Sequence, residues 1–501
     1  MGIFLAALDG TIVATVFGRI GTEFGRSNSG SWIATSYMLS TTAFQPLYGR
    51  FSDTFGRRTA TLFALGVFLV GSALCGFATD LWSLVAARAL AGIGGGGILT
   101  CASIIMTDIV PLRDRGMWQG YGNAIYASAA MIGAPLGGWL ADTWSWRWAF
   151  WVNLPVGFFP LAVVALAIGN YNLVNDGCGW HEKVKRIDFA GVVSLVLGVT
   201  ALVLALSLGG NEREWSDPVV YSSLFAGVIL LLAFLAIEHW VATEPILPLR
   251  ILFLRTPAAC YWICMFSSVS ALSIVFLIPL WFQVIQGQTA AESGVYLIPK
   301  IVASASGSIL SGVLMKRSGK YVLLTRVSLL GMILSEVIML TTWTSTTPDW
   351  QVLPVVAVDG FGYGVALTTT LTAMLSFLPA GEMGVGTAVS YLFRSVGSVL
   401  GIALSQGVLQ ALLKVELERR IGGEPGVIEL ARKNAASLRE VIPQPFLGDV
   451  LGAYEVALKG AFAVCLLFAV VGYLGAFWMQ EKGINEATSH VASNQVDSEH
   501  S

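Results

Sequence analysis

Long apolar runs follow one another along nearly the whole chain, each about as long as a bilayer is thick. A hydrocarbon core about 30 Å thick needs about 20 apolar residues per helix, and every backbone polar group must be satisfied within the segment. Only 12% of the 501 residues are charged, and the mean hydropathy is +0.72. The sequence therefore predicts an all-α integral membrane protein surrounded by lipid.

This length criterion predicts fourteen membrane-spanning helices. Their approximate limits are 2–22, 30–50, 59–79, 82–107, 117–141, 148–170, 188–209, 218–240, 257–284, 292–315, 321–344, 351–376, 386–410 and 454–480. The segment 411–453 is left as one long connection, predicted to be partly helical and to lie outside the cell.

Lysine and arginine collect in alternate short loops, and such an excess marks the cytoplasmic side of a membrane. The predicted cytoplasmic loops hold Arg50, Arg57, Arg58, Arg113, Arg115, Lys183, Lys185, Arg186, Arg250, Arg255, Lys316, Arg317, Lys320 and Arg326. The opposite short loops hold only Arg26, Arg147 and Arg213. Both termini are therefore expected on the cytoplasmic side. The protein is expected in the plasma membrane or, alternatively, in the vacuolar membrane.

Composition and motifs argue against several other classes of protein. A net charge of −2 provides no basic surface for nucleic acid. The six cysteines have no metal-ligand spacing, and no HExxH, GxSxG or P-loop sequence occurs. We expect no enzymatic centre, no metal and no cofactor.

A charged segment, "GRFSDTFGRR" from Gly49 to Arg58, separates the second and third apolar runs. Its arginines, including Arg57 and Arg58, suit a cytoplasmic turn, but acidic residues contribute little to orientation. We predict that Asp53 belongs to a latch between these spans and the opposite half, made in one conformation and broken in the other. An aspartate at a helix N-terminus is stabilised there, and Gly56 permits a tight turn. A role in topology alone is the alternative.

The charged segment is repeated 263 residues later as "GVLMKRSGK", from Gly312 to Lys320. The same shift places "GAPLGG" (133–138) on "VGSVLG" (396–401). The repeat predicts two six-helix halves, 1–175 and 257–480, around a linker with two extra spans at 176–256 and before a cytoplasmic tail at 481–501. Duplicated six-span halves are typical of secondary transporters, which bind substrate near the membrane midplane.

Four segments together resemble signatures of the major facilitator superfamily, in its fourteen-span drug:proton antiporter branch. They are "LDGTIV" (8–13), "GRFSDTFGRR" (49–58), "LVAARALAGIGGGG" (84–97) and "MIGAPLGG" (131–138). Ala91 replaces the usual glutamine, and Pro135 falls one residue later than usual. The resemblance implies a major facilitator fold, alternating access, a gating loop formed by Gly49, Asp53, Gly56, Arg57 and Arg58, and an antiporter helix in which Gly133, Pro135, Gly137 and Gly138 act as a hinge.

Charged residues inside the predicted spans are candidates for proton coupling, because a charge there needs a partner or a wet cavity. Arg88 lies in the fourth span and Asp9 at a similar depth in the first. An aspartate that alternates between pairing with arginine and solvation changes its proton affinity as the protein changes face. A static ion pair is the alternative. Glu336 and Asp359 are the candidates in the second half.

Other polar and aromatic residues of the spans receive no firm role. Lys300 and Arg19 are long enough to reach an interface, and Arg394 is a further intramembrane charge. The candidates for lining a central cavity are Phe17, Trp32, Tyr37, Gln45, Tyr126, Trp262, Phe266, Trp281, Gln283 and Tyr391.

The function expected is secondary active transport by a monomer. The resemblance favours proton-coupled export of amphipathic drugs, toxins or secondary metabolites, so the partners are a small organic substrate, protons and the lipid bilayer. A siderophore carrier and a vacuolar basic amino acid carrier are alternatives. A non-transporting receptor would require a large soluble signalling domain, which is not visible in the sequence.

Overall fold

The computed structural model describes residues 1–24, 32–169, 188–209, 216–241, 245–422, 424–433 and 438–482, and their regular structure is helical. Long helices in these ranges are labelled α1 (Gly2–Glu23), α2 (Trp32–Phe55), α3 (Arg57–Phe77), α4 (Leu81–Ile109), α5 (Leu112–Thr143), α6 (Asn153–Ala167), α7 (Phe189–Leu208), α8 (Pro218–Trp240), α9 (Arg255–Val284), α10 (Ile298–Ser318), α11 (Val322–Thr342), α12 (Asp349–Phe377), α13 (Met383–Ile421) and α14 (Gln444–Gly475). Shorter helices at Trp148–Trp151 and Ala290–Val295 precede α6 and α10.

Twelve helical segments of the described chain are long and apolar enough to cross a membrane, so the predicted count of fourteen spans is not supported by this criterion. Of the other two long helices, α1 meets the apolar criterion only over the shorter stretch Gly2–Val13, and α2 does not meet it. Helix α2 is rich in Ser and Thr, and polar side chains such as Ser36 and Gln45 are buried in the protein. A polar helix covered by its neighbours has no need of an apolar surface.

The predicted long connection at 411–453 is largely helical. Helix α13 runs on to Ile421, helices Pro425–Lys433 and Leu438–Val441 follow, and α14 already begins at Gln444. Leu409, Leu413, Leu417 and Ile421 are all buried in one apolar cluster. Their four-residue spacing places them on one helix face, which explains why α13 continues past its predicted end. Most of the predicted tail, from residue 483, lies outside the described residues.

Helices α1–α6 (the first group) and α9–α14 (the second group) repeat one packing arrangement. In the first group, a Cβ on Gly92 of α4 would lie 2.5 Å from the Tyr37 carbonyl oxygen of α2. In the second group, a Cβ on Gly360 of α12 would lie 2.2 Å from the Lys300 carbonyl oxygen of α10. The same contact recurs one turn further along both helices. Small residues at these positions let the helix backbones approach closely.

A second equivalence corrects the predicted alignment of the glycine-rich runs by one residue. A Cβ on Gly137 of α5 would lie 2.5 Å from the Ile12 carbonyl oxygen of α1. Likewise, one on Gly401 of α13 would lie 2.2 Å from the Val269 carbonyl oxygen of α9, whereas Gly138 has nothing within 4 Å. Gly137, rather than Gly138, is therefore the counterpart of Gly401. The sequence offset changes along the chain because the connections of the two groups differ in length.

The two groups meet at the end of the bundle that carries the connections α2–α3, α4–α5 and α10–α11, here called the basic end. At this end the backbones of Gly312 (α10) and Met117 (α5) are so close that a Cβ on Gly312 would lie 2.3 Å from the Met117 nitrogen. Further along the same helices, Asn123 Nδ2 donates to Ser308 Oγ at 3.0 Å. Helix α7 packs against both α2 and α13, beside this interface.

Candidate functional site

The first buried ion pair joins α1 and α4. Arg88 Nη1 lies 2.7 Å from Asp9 Oδ2, and both side chains are at most 1% exposed. Asn153 Nδ2 of α6 donates to Asp9 Oδ1 at 2.7 Å. Arg88 Nε also donates to the Ile33 carbonyl at 3.3 Å, and its guanidinium lies 4.2 Å from the centre of the Tyr37 ring. The structure thus brings together the two residues that the sequence predicts as partners, and every polar atom of the Asp9 carboxylate has a donor.

Sequence reasoning did not identify Asn153 as the third member of this network. The signal was its position, because an amide stands alone in the apolar run "WVNLPVG" (151–157). The side chain is fully buried at the start of α6. A buried amide is costly unless it is hydrogen-bonded, so an isolated one in a span indicates a polar partner.

The second buried charge cluster joins α9, α10, α11 and α12. Lys300 Nζ forms an ion pair with Asp359 Oδ2, and Ser270 Oγ donates to Glu336 Oε1. Glu336 lies close enough to both Asp359 and Lys300 to interact with their charges. An interface position was one possibility for Lys300, but its side chain is 6% exposed and paired with the Asp359 carboxylate.

The cluster around Glu336 leaves two carboxylate oxygens without a partner. Asp359 Oδ1 and Glu336 Oε2 are buried and accept no hydrogen bond from the described part of the protein. Buried polar atoms are nearly always hydrogen-bonded, and the exceptions deserve a specific explanation. A proton can bind to either oxygen without breaking an existing hydrogen bond, because neither oxygen accepts one in the described chain.

The predicted connection at 51–58, between the second and third spans, is almost entirely helical. Its residues 51–55 form the end of α2, and α3 begins at Arg57. Gly56 alone separates the helices, with φ of 90°, a conformation that favours glycine. Asp53 therefore sits at the C-terminal end of α2. The helix N-terminus that it faces belongs to another segment.

The side chain of Asp53, from α2 of the first group, lies beside the first turn of α13, which belongs to the second group. Its Oδ1 is 3.1 Å from the Cβ position of Gly384, in the first turn of that helix. Arg57 Nη1 donates to the Asp53 carboxylate and, at 3.0 Å, to Ser52 Oγ. Arg57 Nε donates to Asp108 Oδ2 at 2.7 Å. A carboxylate at a helix N-terminus is stabilised by the exposed N–H groups and the helix dipole, so this network links α2, α3, α4 and α13.

Gly49 and Arg58, predicted members of the same loop, lie on opposite sides of it. A Cβ on Gly49 would lie 2.9 Å from Ala388 Cβ of α13, so this glycine lets the two groups come into contact. Deeper in the same interface, Ser395 Oγ donates to Gln45 Oε1 at 2.9 Å. Arg58 instead donates to the Ala165 carbonyl of α6, within the first group.

The repeated segment, Gly312 to Lys320, also turns at a glycine with positive φ, but its charge chemistry is different. Gly319 ends α10 with φ of 68°, as Gly56 follows α2. Lys316 Nζ pairs with Asp114 Oδ1 of α5 at 2.8 Å, although the two side chains are 43% and 29% exposed. Arg113 Nε donates to the Lys316 carbonyl at 3.1 Å. Both segments therefore reach across to the other group at the basic end.

The predicted antiporter helix is α5, continuous from Leu112 to Thr143 through Pro135. Gly133 and Gly137 face α1, where Cβ atoms would come within 3.0 Å of the Leu8 and Ile12 carbonyl oxygens. These glycines therefore hold α5 against the helix that carries Asp9. Pro135 is exposed and Gly138 has open space beside it, so neither is part of this contact.

A pocket lies between the two groups, beside their contact at the basic end. Its lining residues are Gln119 of α5, Cys264 of α9, Leu367 and Leu371 of α12, and Ser390, Tyr391 and Arg394 of α13. Tyr391 was among the predicted cavity residues. Trp281, another candidate, is fully buried and packs against Trp343 instead. The pocket combines apolar walls with a few polar groups, but in this conformation its cavity volume is about 10 Å³, room for about one water molecule. A drug-sized ligand therefore fits only when the helices around the pocket move apart.

Comparison with known proteins identifies this architecture. Residues 1–402 match the family model described as Major Facilitator Superfamily. The chain belongs to this superfamily. It is a multi-pass integral membrane transporter and not an enzyme, and superfamily members carry small molecules across membranes.

Curated relatives align over nearly the full chain. Two come from Schizosaccharomyces pombe. The vacuolar membrane amino acid uptake transporter fnx2 is 39% identical, and the alignment covers 95% of this chain and 82% of fnx2. The multidrug resistance protein fnx1 is 38% identical, and the alignment covers 94% of this chain and 90% of fnx1. The MFS-type efflux pump LUC4 of a Fusarium species is 32% identical over 95% of this chain and 85% of its own length.

Among solved structures, a proton:xylose symporter of the superfamily is similar with a TM-score of 0.60. The alignment covers 97% of this chain and 96% of that one at 13% identity. At this identity the similarity shows the fold alone. It confirms the predicted all-helical major facilitator fold.

Proposed function

We propose that the protein is a proton-coupled antiporter of the fourteen-span drug:proton branch that exports amphipathic organic molecules. The observation that carries this proposal is the presence of buried acid–base networks in both groups, with a pocket between the groups. Intramembrane ionisable residues are costly and mark ion or substrate pathways. Relatives named as a multidrug resistance protein and an efflux pump support export of organic compounds.

In this proposal α1 and α2 also cross the membrane, which gives fourteen spans and places both termini in the cytoplasm. Helix α1 supports this assignment because it packs against α5, and α2 because it packs along α4. The six-helix halves are 1–175 and 257–480, the extra pair lies in 176–256, and 481–501 is a cytoplasmic tail. The basic end then faces the cytoplasm, in agreement with the positive-inside rule.

Proton movement is assigned to Asp9, Arg88, Glu336 and Asp359. A buried carboxyl group holds its proton when no positive charge is near and releases it when a cation or water approaches. Rocking of one group against the other changes what surrounds these carboxyl groups. Proton binding and release then favour different faces of the transporter, which couples the proton gradient to export.

The network of Asp53, Arg57 and Gly49 acts as the latch that holds the basic end closed. Asp53 reaches the N-terminus of α13 from the opposite group, and Gly49 permits the close approach. Opening the basic end to the cytoplasm separates these elements. The present structure then corresponds to the state in which the cytoplasmic side is closed.

The decisive experiment is transport by the purified protein in liposomes under an imposed proton gradient, with dyes, toxins and amino acids as substrates. Export is expected to rise with the gradient in the wild type. The Asp9→Asn and Glu336→Gln variants should retain substrate binding and lose the response to the gradient. Glu418→Gln, which changes an exposed carboxylate of α13, is the matched control and should behave as the wild type.

Two outcomes would contradict the proposal. Transport that is insensitive to the gradient in the wild type would exclude proton coupling. A normal gradient response in both Asp9→Asn and Glu336→Gln would exclude these carboxyl groups as the proton carriers. Insertion and elution as a single species establish that each variant is folded.

A second candidate function is vacuolar amino acid uptake, favoured by the 39% identity to the fnx2 transporter. The same liposomes distinguish the two functions, because basic amino acids would then be transported in preference to dyes and toxins. We propose the plasma membrane as the location and a monomer as the working unit. Fluorescent tagging in a fungal cell and the mass of the detergent-solubilised protein test these two points.

A further inference from the structure

Arg394, whose side chain is only partly buried, differs from the buried basic residues discussed above because no carboxylate of the described chain pairs with it. It lies on α13 and lines the pocket between the groups. Arg88, Lys300 and Arg57 all form ion pairs with aspartates. Among the described residues, the recorded contact of the Arg394 guanidinium is with the Tyr391 ring, whose centre is 4.2 Å away. Its positive charge is therefore not neutralised by the protein around it.

The surroundings of Arg394 are aromatic and hydroxyl-bearing. Tyr126 of α5, Tyr363 of α12 and Tyr391 lie close enough to interact with its charge. The Tyr363 hydroxyl is 3.2 Å from Ser268 Oγ of α9. The first group of helices provides Tyr126, and the second group provides Ser268, Tyr363 and Tyr391. Neutral phenols and hydroxyls supply hydrogen bonds to a ligand without cancelling the arginine charge.

Acidic residues that would favour a cationic ligand are not displayed on this pocket. Asp9 is 0% exposed and bound by Arg88 and Asn153. Asp359 is paired with Lys300, and Glu336 is 1% exposed. In the described lining of the pocket, Arg394 is the charged residue. A cation entering the pocket would therefore be repelled by the Arg394 guanidinium, whereas an anion would pair with a partly buried charge that has no carboxylate partner in the described chain.

We infer that Arg394 is the anchor of a substrate site for amphipathic organic anions, such as aromatic carboxylates. The guanidinium receives the acidic group in a charge-assisted, bidentate contact. Leu367, Leu371 and the tyrosine rings contact the apolar body of the ligand. This inference rests on the proposed transport function and narrows its substrate class.

Position adds a second role for the same contact. Ser395, the neighbour of Arg394, hydrogen-bonds across the interface to Gln45 of the first group. The acidic group of a bound substrate is thus held at the level where the two groups come together. Binding at this level is suited to influence whether the groups remain in contact.

The test is binding to the purified full chain in detergent at neutral pH, measured by calorimetry with three matched probes. These are 2-naphthoic acid, which is anionic, 2-naphthamide, which is neutral, and 2-naphthylmethylamine, which is cationic. Charge-assisted hydrogen bonds to a buried arginine are worth about 10- to 100-fold in affinity. We expect the acid to bind more tightly than the amide by about this factor, and the amine to bind least.

The Arg394→Gln variant should lose the preference for the acid while binding the amide within about twofold of the wild type. Arg394→Lys should retain part of the preference, because it keeps the charge and loses the planar fork. Arg317→Gln, which removes an exposed arginine at the basic end, is the matched control and should leave the preference unchanged. Arg394→Gln should also unfold at about the same temperature as the wild type, since it removes a partly buried charge that has no carboxylate partner in the described chain.

Four results would each overturn the inference. In the wild type these are equal affinity for acid and amide, preference for the amine, and absence of binding by the acid at millimolar concentration. The fourth is an unchanged preference for the acid in Arg394→Gln. A structural role alone predicts a lower unfolding temperature for Arg394→Gln and equal losses for acid and amide. Failure of the transport proposal has a different signature, because gradient-independent transport leaves the affinities of the three probes unaffected.

Discussion

The buried ion pair of the first group and that of the second group are satisfied to different degrees. Both oxygens of the Asp9 carboxylate have donors, namely Arg88 and Asn153. In the second group, Asp359 and the neighbouring Glu336 each keep one buried oxygen without a hydrogen bond within the described chain. The two groups thus differ at these carboxylates: both oxygens of Asp9 accept hydrogen bonds, here called the closed network, whereas Asp359 and Glu336 each keep an oxygen that is free in the described chain, here called the open network.

This difference separates two tasks that a coupled transporter must perform. A closed network fixes α1, α4 and α6 relative to one another and resists rearrangement. An open network accepts a proton without first breaking a hydrogen bond. We therefore assign the larger structural role to the Asp9–Arg88 pair and the larger share of proton binding to Glu336 and Asp359.

The largest effect is expected from breaking the closed pair on one side only. Arg88→Leu leaves the Asp9 carboxylate buried without its cation, which typically costs about 3–5 kcal/mol, whereas replacing both partners by apolar residues is often neutral. The double variant Asp9→Leu/Arg88→Leu should therefore unfold close to the wild type. The measurement is the free energy of unfolding in mixed micelles during titration with a denaturing detergent.

The same pair of variants decides whether the network is structural. If the double variant were destabilised at least as much as Arg88→Leu, the loss in Arg88→Leu would not arise from an uncompensated Asp9 charge, and the expectation would be wrong. A normal gradient response in the double variant would leave the Asp9–Arg88 pair a structural role only, whereas transport without a gradient response would show that the pair also takes part in proton coupling, as proposed.

The second expected effect tests the equivalence of the two groups. Gly137→Ala and Gly401→Ala place a Cβ 2.5 Å and 2.2 Å from a facing carbonyl oxygen. Overpacking of this kind costs about 1–3 kcal/mol. Gly138→Ala meets nothing within 4 Å and should be neutral or up to about 1 kcal/mol more stable, because alanine is the better helix former. Thermal unfolding of the three variants measures the difference, and a loss at Gly138 equal to that at Gly137 would restore the alignment predicted from the sequence.

The fold was predictable because membrane helices need long apolar runs, and those runs are visible without structural information. Errors arose where a helix is not surrounded by lipid. The polar helix α2 is covered by its neighbours, so its composition does not match that of a lipid-exposed span. The end of α13 was missed because Leu413, Leu417 and Ile421 repeat every four residues within a polar stretch, and a count of apolar residues does not detect this spacing.

The partners in the candidate site were predictable where two residues of opposite charge are the isolated charges of their apolar spans. Asp9 and Arg88 are isolated charges in apolar spans, and each needs a partner. The partner of Asp359 was missed, because a lysine near the start of a span is equally consistent with an interface position. Arg394 received no role, since only the arrangement of helices shows that no carboxylate of the described chain pairs with it.

A smaller effect is expected at the latch. Asp53→Asn keeps the side-chain volume and removes the charge that faces the N-terminus of α13 and pairs with Arg57. A helix-terminus interaction in a partly buried site is worth up to about 2 kcal/mol, so turnover in liposomes should fall by about tenfold while the protein remains folded and inserted. Normal turnover would remove Asp53 from the latch and leave only the role in topology.

The smallest effect is expected at the repeated segment, which sharpens the contrast with Asp53. Lys316→Met breaks the pair with Asp114, but these side chains are 43% and 29% exposed. Exposed ion pairs contribute only about 0–1 kcal/mol and are screened by salt. Turnover and unfolding temperature of Lys316→Met should therefore stay close to the wild type, and Asp114→Asn should match it. If Lys316→Met lowered turnover as much as Asp53→Asn, both segments would act as equivalent latches, and the asymmetry between the two groups would not extend to the basic end.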